Sequence, residues 1–308
     1  MLFHSTSALV LLATSSCLAY PHHSKPKAGI TDVDILQYAL TLEHLEDKFY
    51  REGLANFTKQ QFVEAGFDGT FYSNLKEVSF DETTHVSFLT QTLQAAKANP
   101  VAECTYAFGV TDVKTFVATA SILEGVGVSA YLGAAASIAN KNYLTAAGSI
   151  LTVESRHSAY LRASQKQSPF PQPFDAPLDF NEVYTLAAPF IVSCPKSNGQ
   201  LPVKAFPALS LDPASTNLAS NAQVTLDTKD PIHQDKKASC YYAAWIAVTG
   251  PVFVSATLEG NNKFHTTVPA GFHGQSYVVI TKSKDKVTDD TVVAGPAIVE
   301  IPGANGST

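Results

Sequence analysis

Methionine is all but missing from this sequence: Met1 is the sole example in 308 residues. A chain without thioethers lacks the adaptable Met-rich surfaces of promiscuous binders. It also suits a site that handles oxidants, because thioethers oxidise readily, although compositional drift accounts for the absence as well. Charge is sparse too. Asp, Glu, Lys and Arg make up 16%, against about 25% in an average soluble protein. The net charge is −6 and no Lys/Arg cluster stands out, which argues against nucleic acid and anionic membranes as partners. Beyond the N-terminal leader no uninterrupted apolar run reaches the ~20 residues of a membrane span. Cysteine is limited to four residues, and one of these, Cys17, falls in the leader.

That leader, residues 1–19, has no charged side chain. It contains the apolar run Ala8 to Ala13 and ends in Cys17-Leu18-Ala19, the small-residue pattern read by a signal peptidase. Its first residues offer only His4 in place of the usual Lys or Arg. The expectation is a signal peptide, a mature chain starting near Tyr20, and a secreted protein of the extracellular space or cell wall. Asn56-Phe57-Thr58 and Asn305-Gly306-Ser307 are glycosylation sequons in keeping with export. Cys104, Cys194 and Cys240 remain after cleavage, enough for one bridge and one spare thiol.

What the sequence does have is a motif that occurs twice. Glu82-Thr83-Thr84-His85 and Glu154-Ser155-Arg156-His157 both read Glu-x-x-His, and both continue with an aromatic residue and a leucine: Phe88-Leu89 and Tyr160-Leu161. Residues i and i+3 share one face of a helix, so each pair points a carboxylate and an imidazole into the same space. Upstream of each stands a Leu-Glu pair, Leu42-Glu43 and Leu123-Glu124, and each of these glutamates is followed seven residues later by a tyrosine, Tyr50 and Tyr131. The order Glu, Glu-x-x-His, Glu, Glu-x-x-His is a duplicated helix pair. It matches the ligand arrangement of a carboxylate-bridged dimetal four-helix bundle. Four carboxylates converging in an apolar interior repel one another and are costly to desolvate, and divalent cations remove both problems.

The first helix opens near Thr31-Asp32, with Leu36, Glu43 and Tyr50 on its inner face. Glu46 and Asp47 are by default a solvated face or partners of the ligands, with Glu46 a candidate extra ligand. Gly66, Asp68 and Gly69 separate this helix from a second, about Phe71 to Ala98. A crossover follows from Asn99 to Val110, containing Cys104. The third helix spans about Thr111 to Ile138. Its Gly125, Gly127 and Gly133 each cost up to about 1 kcal/mol in an exposed helix, which points to close backbone packing or to room beside the site. The fourth helix runs from about Tyr143 to Gln165. Pro169, Pro171, Pro173 and Pro177 then make a stiff spacer. A short fifth helix, about Phe180 to Val192, brings Cys194 near the crossover, so a Cys104–Cys194 bridge is expected.

From about Pro202 the pattern shifts to period two, with strands predicted at Ala222 to Leu226, Tyr241 to Thr249, Val252 to Leu258, Lys263 to Val268, Ser276 to Thr281 and Ala297 to Ile301. These suggest a β-sandwich domain over 202–303. His233, Cys240, His265 and His273 raise a copper site only weakly: there is no Met for an axial ligand and no His close downstream of Cys240. Surface histidines and a buried thiol are the plainer reading.

The stretches LEHLEDKFY, DETTHVSFL, LEGVGVSAYLGAA and VESRHSAYLR resemble the secreted ferritin-like proteins of fungi. Those are stress-response or late-sexual-development proteins, similar to plant desiccation-related proteins. The resemblance covers residues 30–195 best and implies a ferritin-like bundle with ligands at Glu43, Glu82, His85, Glu124, Glu154 and His157. The expected fold class is therefore α+β: a four-helix bundle with a short fifth helix, followed by the β-sandwich. The expected cofactor is a pair of metal ions, iron favoured, with manganese the alternative because it suits the same oxygen and imidazole donors. Two functions follow. One is a dimetal enzyme with ferroxidase, oxidase or peroxide-consuming activity, in which Tyr50 and Tyr131 supply hydrogen bonds or an electron, or simply pack the core. The other is a non-catalytic, metal-holding or structural stress protein of the cell exterior.

Overall fold

A computed structural model describes residues 29–232 and 240–304. The expected signal peptide, His233 and the sequon at Asn305 lie outside the described residues. Asn56, the other sequon, is the exposed last residue of α1.

The bundle consists of α1 (Asp32–Asn56), α3 (Gly69–Ala95), α4 (Val113–Ala135) and α5 (Lys141–Ser164). Each starts where a short polar side chain can take up free backbone N–H groups. Thr31 with Asp34, and Asp112 with Thr115, form capping boxes, while Asp68 and Asn140 cap α3 and α5. A short α2 (Lys59–Glu64), not foreseen in the sequence, fills the α1–α3 connection and seats the fully buried Phe62 in the core. Thr58 caps it, and Gly66 turns the chain at a positive φ of 100°. α4 is long and apolar enough to cross a membrane by length and composition, but most of it is buried as the bundle's core helix.

The crossover contains β1 (Thr105–Tyr106). After α6 (Phe180–Ala187) and one 3-10 turn, β2 (Ile191–Ser193) pairs antiparallel with β1. The predicted fifth helix therefore ends earlier than Val192: Pro189, which has no N–H to donate, sits in the 3-10 turn and the chain then extends. Beside this ribbon Cys104 is joined to Cys194, closing a loop with a sequence separation of 90.

The C-terminal part holds β3 (Leu209–Leu211), β4 (Gln223–Thr228), β5 (Tyr241–Trp245), β6 (Val252–Glu259), β7 (Lys263–Thr267), β8 (Gly274–Thr281) and β9 (Val292–Ile301). The expected sandwich of two sheets takes a different form. The strands make one antiparallel sheet in the order β3-β4-β7-β6-β5-β8-β9, curled almost into a barrel. Its edges meet where Gly295 N–H donates to the Pro207 carbonyl at 2.9 Å. Closure of this kind protects edge strands from pairing with other chains. Trp245, Phe264, Val278 and Ile280 fill the centre. Cys240 is exposed, which corrects the buried-thiol reading. His265 bonds Thr225 and Glu259, and His273 bonds the Pro302 carbonyl.

The two parts share a core in which Tyr38, Val126 and Ala130 of the bundle pack with Leu178, Ala244, Tyr277 and Val279. The proline segment is more than a spacer. Leu178 N–H donates to the Ser129 carbonyl, and Gly133 lets the two backbones touch, since a Cβ there would lie 1.7 Å from the Leu178 oxygen. Arg162 of α5 forks onto Glu300 of β9 at 2.8 and 3.0 Å, and Tyr277 O–H donates to the Gly125 carbonyl at 2.8 Å. These contacts fix α4 and α5, and hence half of the polar interior, against the sheet.

Candidate metal centre

All six residues expected as ligands point into one volume at the middle of the bundle. Glu43, Glu82, Glu124 and Glu154 are fully buried, and His85 and His157 nearly so. Their donor atoms form two overlapping groups, Glu43-Glu82-His85-Glu154 and Glu82-Glu124-Glu154-His157, with the atoms of each group within 4.8 Å of one another. Glu82 and Glu154 are common to both. One terminal glutamate and one histidine are left for each group: Glu43 with His85, and Glu124 with His157.

The histidines approach the carboxylates through Nδ1. His85 Nδ1 lies 3.2 Å from Glu43, 3.3 Å from Glu82 and 3.4 Å from Glu154. His157 Nδ1 lies 3.1 Å from Glu82 and 3.3 Å from Glu124. The His157 contacts are within ion-pair reach but off the line of a hydrogen bond. His157 Nδ1, Glu82 Oε1, Glu124 Oε2 and both oxygens of Glu154 are left without hydrogen-bond partners. Buried polar atoms are rarely left so, and five orphaned donor atoms facing one volume are what a pair of cations would satisfy. The residues fit the ions.

Electrostatics give the same reading. Burial, opposed by the close contacts of His157 and His85, raises the Glu82 pKa to about 7. Burial, then the charges of Glu82 and Glu124, push Glu154 well above the usual carboxylate range. Burial works against protonating the histidines, but Glu43 and Glu82 outweigh it and raise His85 to about 10. Glu124 and Glu82 likewise raise His157 to about 11. With no cation present, protons hold the cluster together.

Tyr50 and Tyr131 do more than pack. Each stands seven residues after its own repeat's glutamate and donates its O–H to the glutamate of the other repeat: Tyr50 to Glu124, Tyr131 to Glu43. Burial and the adjacent carboxylate raise both phenol pKa values, so both remain donors. The duplicated sequence thus folds into crossed pairs that hold the two terminal carboxylates.

Two residues break the symmetry. Asp81 Oδ2 lies 3.1 Å from His157 Nε2 and can accept its N–H, which leaves Nδ1 free to bind a cation. The second repeat has Val153 in the corresponding place, before Glu154, and the Asp81/Val153 difference was the available signal for this role. Of the alternatives for Glu46 and Asp47, a solvated face or partners of the ligands with Glu46 a candidate extra ligand, burial of both side chains rules out the solvated face. Asp47 bridges α1 to α3 by accepting from Thr83 at 2.6 Å and from Arg51 at 2.9 Å. Three residues after each terminal glutamate stands Glu46 in the first repeat and Gly127 in the second. A Cβ at Gly127 would come 3.0 Å from oxygens of both Glu46 and Glu154. Gly127 makes the room Glu46 occupies beside the cluster, and Gly125 faces the Gln275 side chain.

The sequence profile of the ferritin-like domain matches residues 31–167. The chain is also 25% identical to protein rds1 of Schizosaccharomyces pombe over an alignment covering 87% of this chain and 80% of that protein. The resemblance to fungal ferritin-like proteins is supported on both counts, and the second extends it across the strand-rich part.

Proposed function

We propose, on the premise that residues 31–167 are a ferritin-like domain, that this chain holds two divalent ions in a carboxylate-bridged pair and uses them on dioxygen or peroxide, in a stress or developmental setting. The single observation that carries this reading is the pair of overlapping donor groups sharing Glu82 and Glu154. Iron is favoured and manganese fits the same donors. Bound as two Fe(II), the ions would supply two electrons that, with two protons, reduce dioxygen to hydrogen peroxide.

The protein's own residues do the rest. Glu82 and Glu154, common to both donor groups, would each help to hold both ions. Glu43 with His85, and Glu124 with His157, would close the two ends. Tyr131 and Tyr50 fix the terminal carboxylates from behind, and Asp81 sets the His157 tautomer. The apolar core of Leu45, Phe49, Leu75 and Phe116 excludes bulk water and strengthens every charge interaction inside.

Metal analysis of protein purified from its native host tests this, with two ions per chain expected. Mixing the Fe(II)-loaded protein with oxygen or peroxide then tests turnover. Two bound ions without turnover would leave the metal-holding stress protein as the function. Stoichiometry near zero after refolding with excess Fe(II) or Mn(II), with no change in melting temperature, would reduce the chain to a scaffold that has lost its metals. We also propose that the protein is exported, with cleavage near Tyr20 and glycans on Asn56 and Asn305. Secreted protein that retains Met1 would refute that.

A further inference from the structure

Between α1, α4, α6 and β9 lies a cavity of about 120 Å³, walled by Leu45, Val126, Leu186 and Ile298 and floored by Glu46 and Gly127. Ile122, which is 39% exposed, stands on its wall and gives it a side towards solvent. Glu46 is the sole polar side chain in the lining. The floor abuts the metal centre, because the missing Cβ of Gly127 would touch Glu154, a donor shared by both groups. Apolar cavities of this size stay dry and take up small apolar guests such as xenon or benzene. Anions are excluded by the desolvation cost, and hydrogen peroxide, with two O–H groups to satisfy, would find one carboxylate. A second, smaller apolar cleft of about 40 Å³ reaches Tyr131 from the other end of the bundle.

We propose that the chamber at Glu46 collects dioxygen for the metal centre, entering past Ile122. Glu46, seated in the room that Gly127 leaves, stands between the chamber and Glu154, and Ile298 of the β domain closes the far wall. This gives the sheet a part in the chemistry: it completes the chamber that favours a small, uncharged, apolar substrate. The inference rests on the metal reading above and names its oxidant.

The test uses the full chain in two arms. Ion-free protein crystallised and pressurised with xenon should show xenon in this chamber. Ile122→Trp, at a partly exposed position that tolerates bulk, should lose the xenon; Leu186→Phe, filling from the opposite wall, guards against misfolding of the first variant. Loaded anaerobically with Fe(II), both variants should bind as many ions as wild type. They should react with dioxygen at least 10-fold more slowly and keep their rate with peroxide. Xenon absent from the chamber of an iron-binding wild type, or found only in the cleft at Tyr131, overturns the chamber alone. So does a dioxygen rate within two-fold of wild type once xenon is displaced, or equal slowing with peroxide. A wild type that binds no iron overturns the metal reading and the chamber with it.

Discussion

The two halves of the chain have opposite interiors. The sheet encloses Trp245, Phe264, Val278, Val279 and Ile280, and among the described residues of 202–303 the buried polar side chains are serine and threonine, none charged. The bundle encloses Glu43, Glu46, Asp47, Glu82, Glu124 and Glu154. The sheet is held by its strand ladders and by apolar burial, worth about 25 cal/mol per Å², around a centre that carries no charge. The bundle gains the same term from its ends, where Phe49, Phe62, Phe71 and Phe116 cluster on one side and Leu36, Leu40, Leu89 and Leu93 on the other. Its middle works against folding until its charge is neutralised. A stable shell around an unfavourable centre is how a fold reserves a place for ions.

The strongest way to break this contrast is to remove a shared carboxylate. Glu82→Ala and Glu154→Ala should each drop bound metal from two ions per chain towards none, while Glu43→Ala or Glu124→Ala should leave about one, read by metal analysis after gel filtration. The stabilisation that saturating metal gives wild type, about 4 kcal/mol per site at a thousand-fold excess over Kd, should vanish in the bridge variants. Equal losses from bridge and terminal variants would sink the two-ion arrangement. In the sheet, Trp245→Ala should cost about 3–5 kcal/mol by leaving a large cavity, yet folded protein should still bind two ions. Loss of metal together with sheet stability would mean the shared core at Tyr38 and Tyr277 transmits the damage, and the halves are less distinct than their interiors suggest.

Acidity sharpens the same contrast. In ion-free protein Glu82, His85 and His157 all have raised pKa values, to about 7, 10 and 11. A raised folded-state pKa stabilises below the unfolded value and is lost as pH climbs through the folded one. For Glu82 that window runs from about 4.5 to 7 and for the histidines from about 6.5 upward, so ion-free protein should weaken steadily from pH 5.5 to 8. Metal binding must displace those protons, so affinity rises over the same range. The gap in melting temperature between loaded and ion-free protein should widen with pH, as scanning calorimetry would register. A constant gap would mean the cluster binds neither protons nor ions as its geometry implies.

The repeat was readable because helical geometry is local: Glu-x-x-His fixes its own face whatever it packs against, and a tyrosine two turns after a glutamate lies on the same side. The six residues of the candidate site and the Cys104–Cys194 partners could therefore be named from spacing and chain path. Asp81 could not, and Glu46 could be offered only among alternatives, because their roles depend on how far a neighbouring helix is rotated. Spacing cannot state that angle. The closing of the sheet at Gly295, the short β3, and the Leu178–Gly133 contact were hidden for a related reason. Each is set by two backbones distant in sequence, and only the glycine signalled that something came close.

The smallest effect tests the symmetry on which the rest depends. Tyr50 and Tyr131 are the same residue at the same offset in the two repeats, each bound to the other repeat's terminal glutamate. Phenylalanine at either position keeps the packing and removes one donor. Partners of this kind typically change metal affinity 10- to 100-fold, and the low end applies here because each terminal carboxylate also has a histidine beside it. Tyr50→Phe should weaken the ion at Glu124 and His157, and Tyr131→Phe the ion at Glu43 and His85, each by about 10-fold, with two ions still bound at saturation. Asp81 breaks the equality: it steadies His157 from outside, and Val153 has no oxygen with which to do the same in the other repeat. Tyr131→Phe should therefore cost more affinity than Tyr50→Phe, because the end it weakens has less to fall back on. Titration calorimetry of both variants would decide it, and the opposite order would show that Asp81 does not hold the His157 ring.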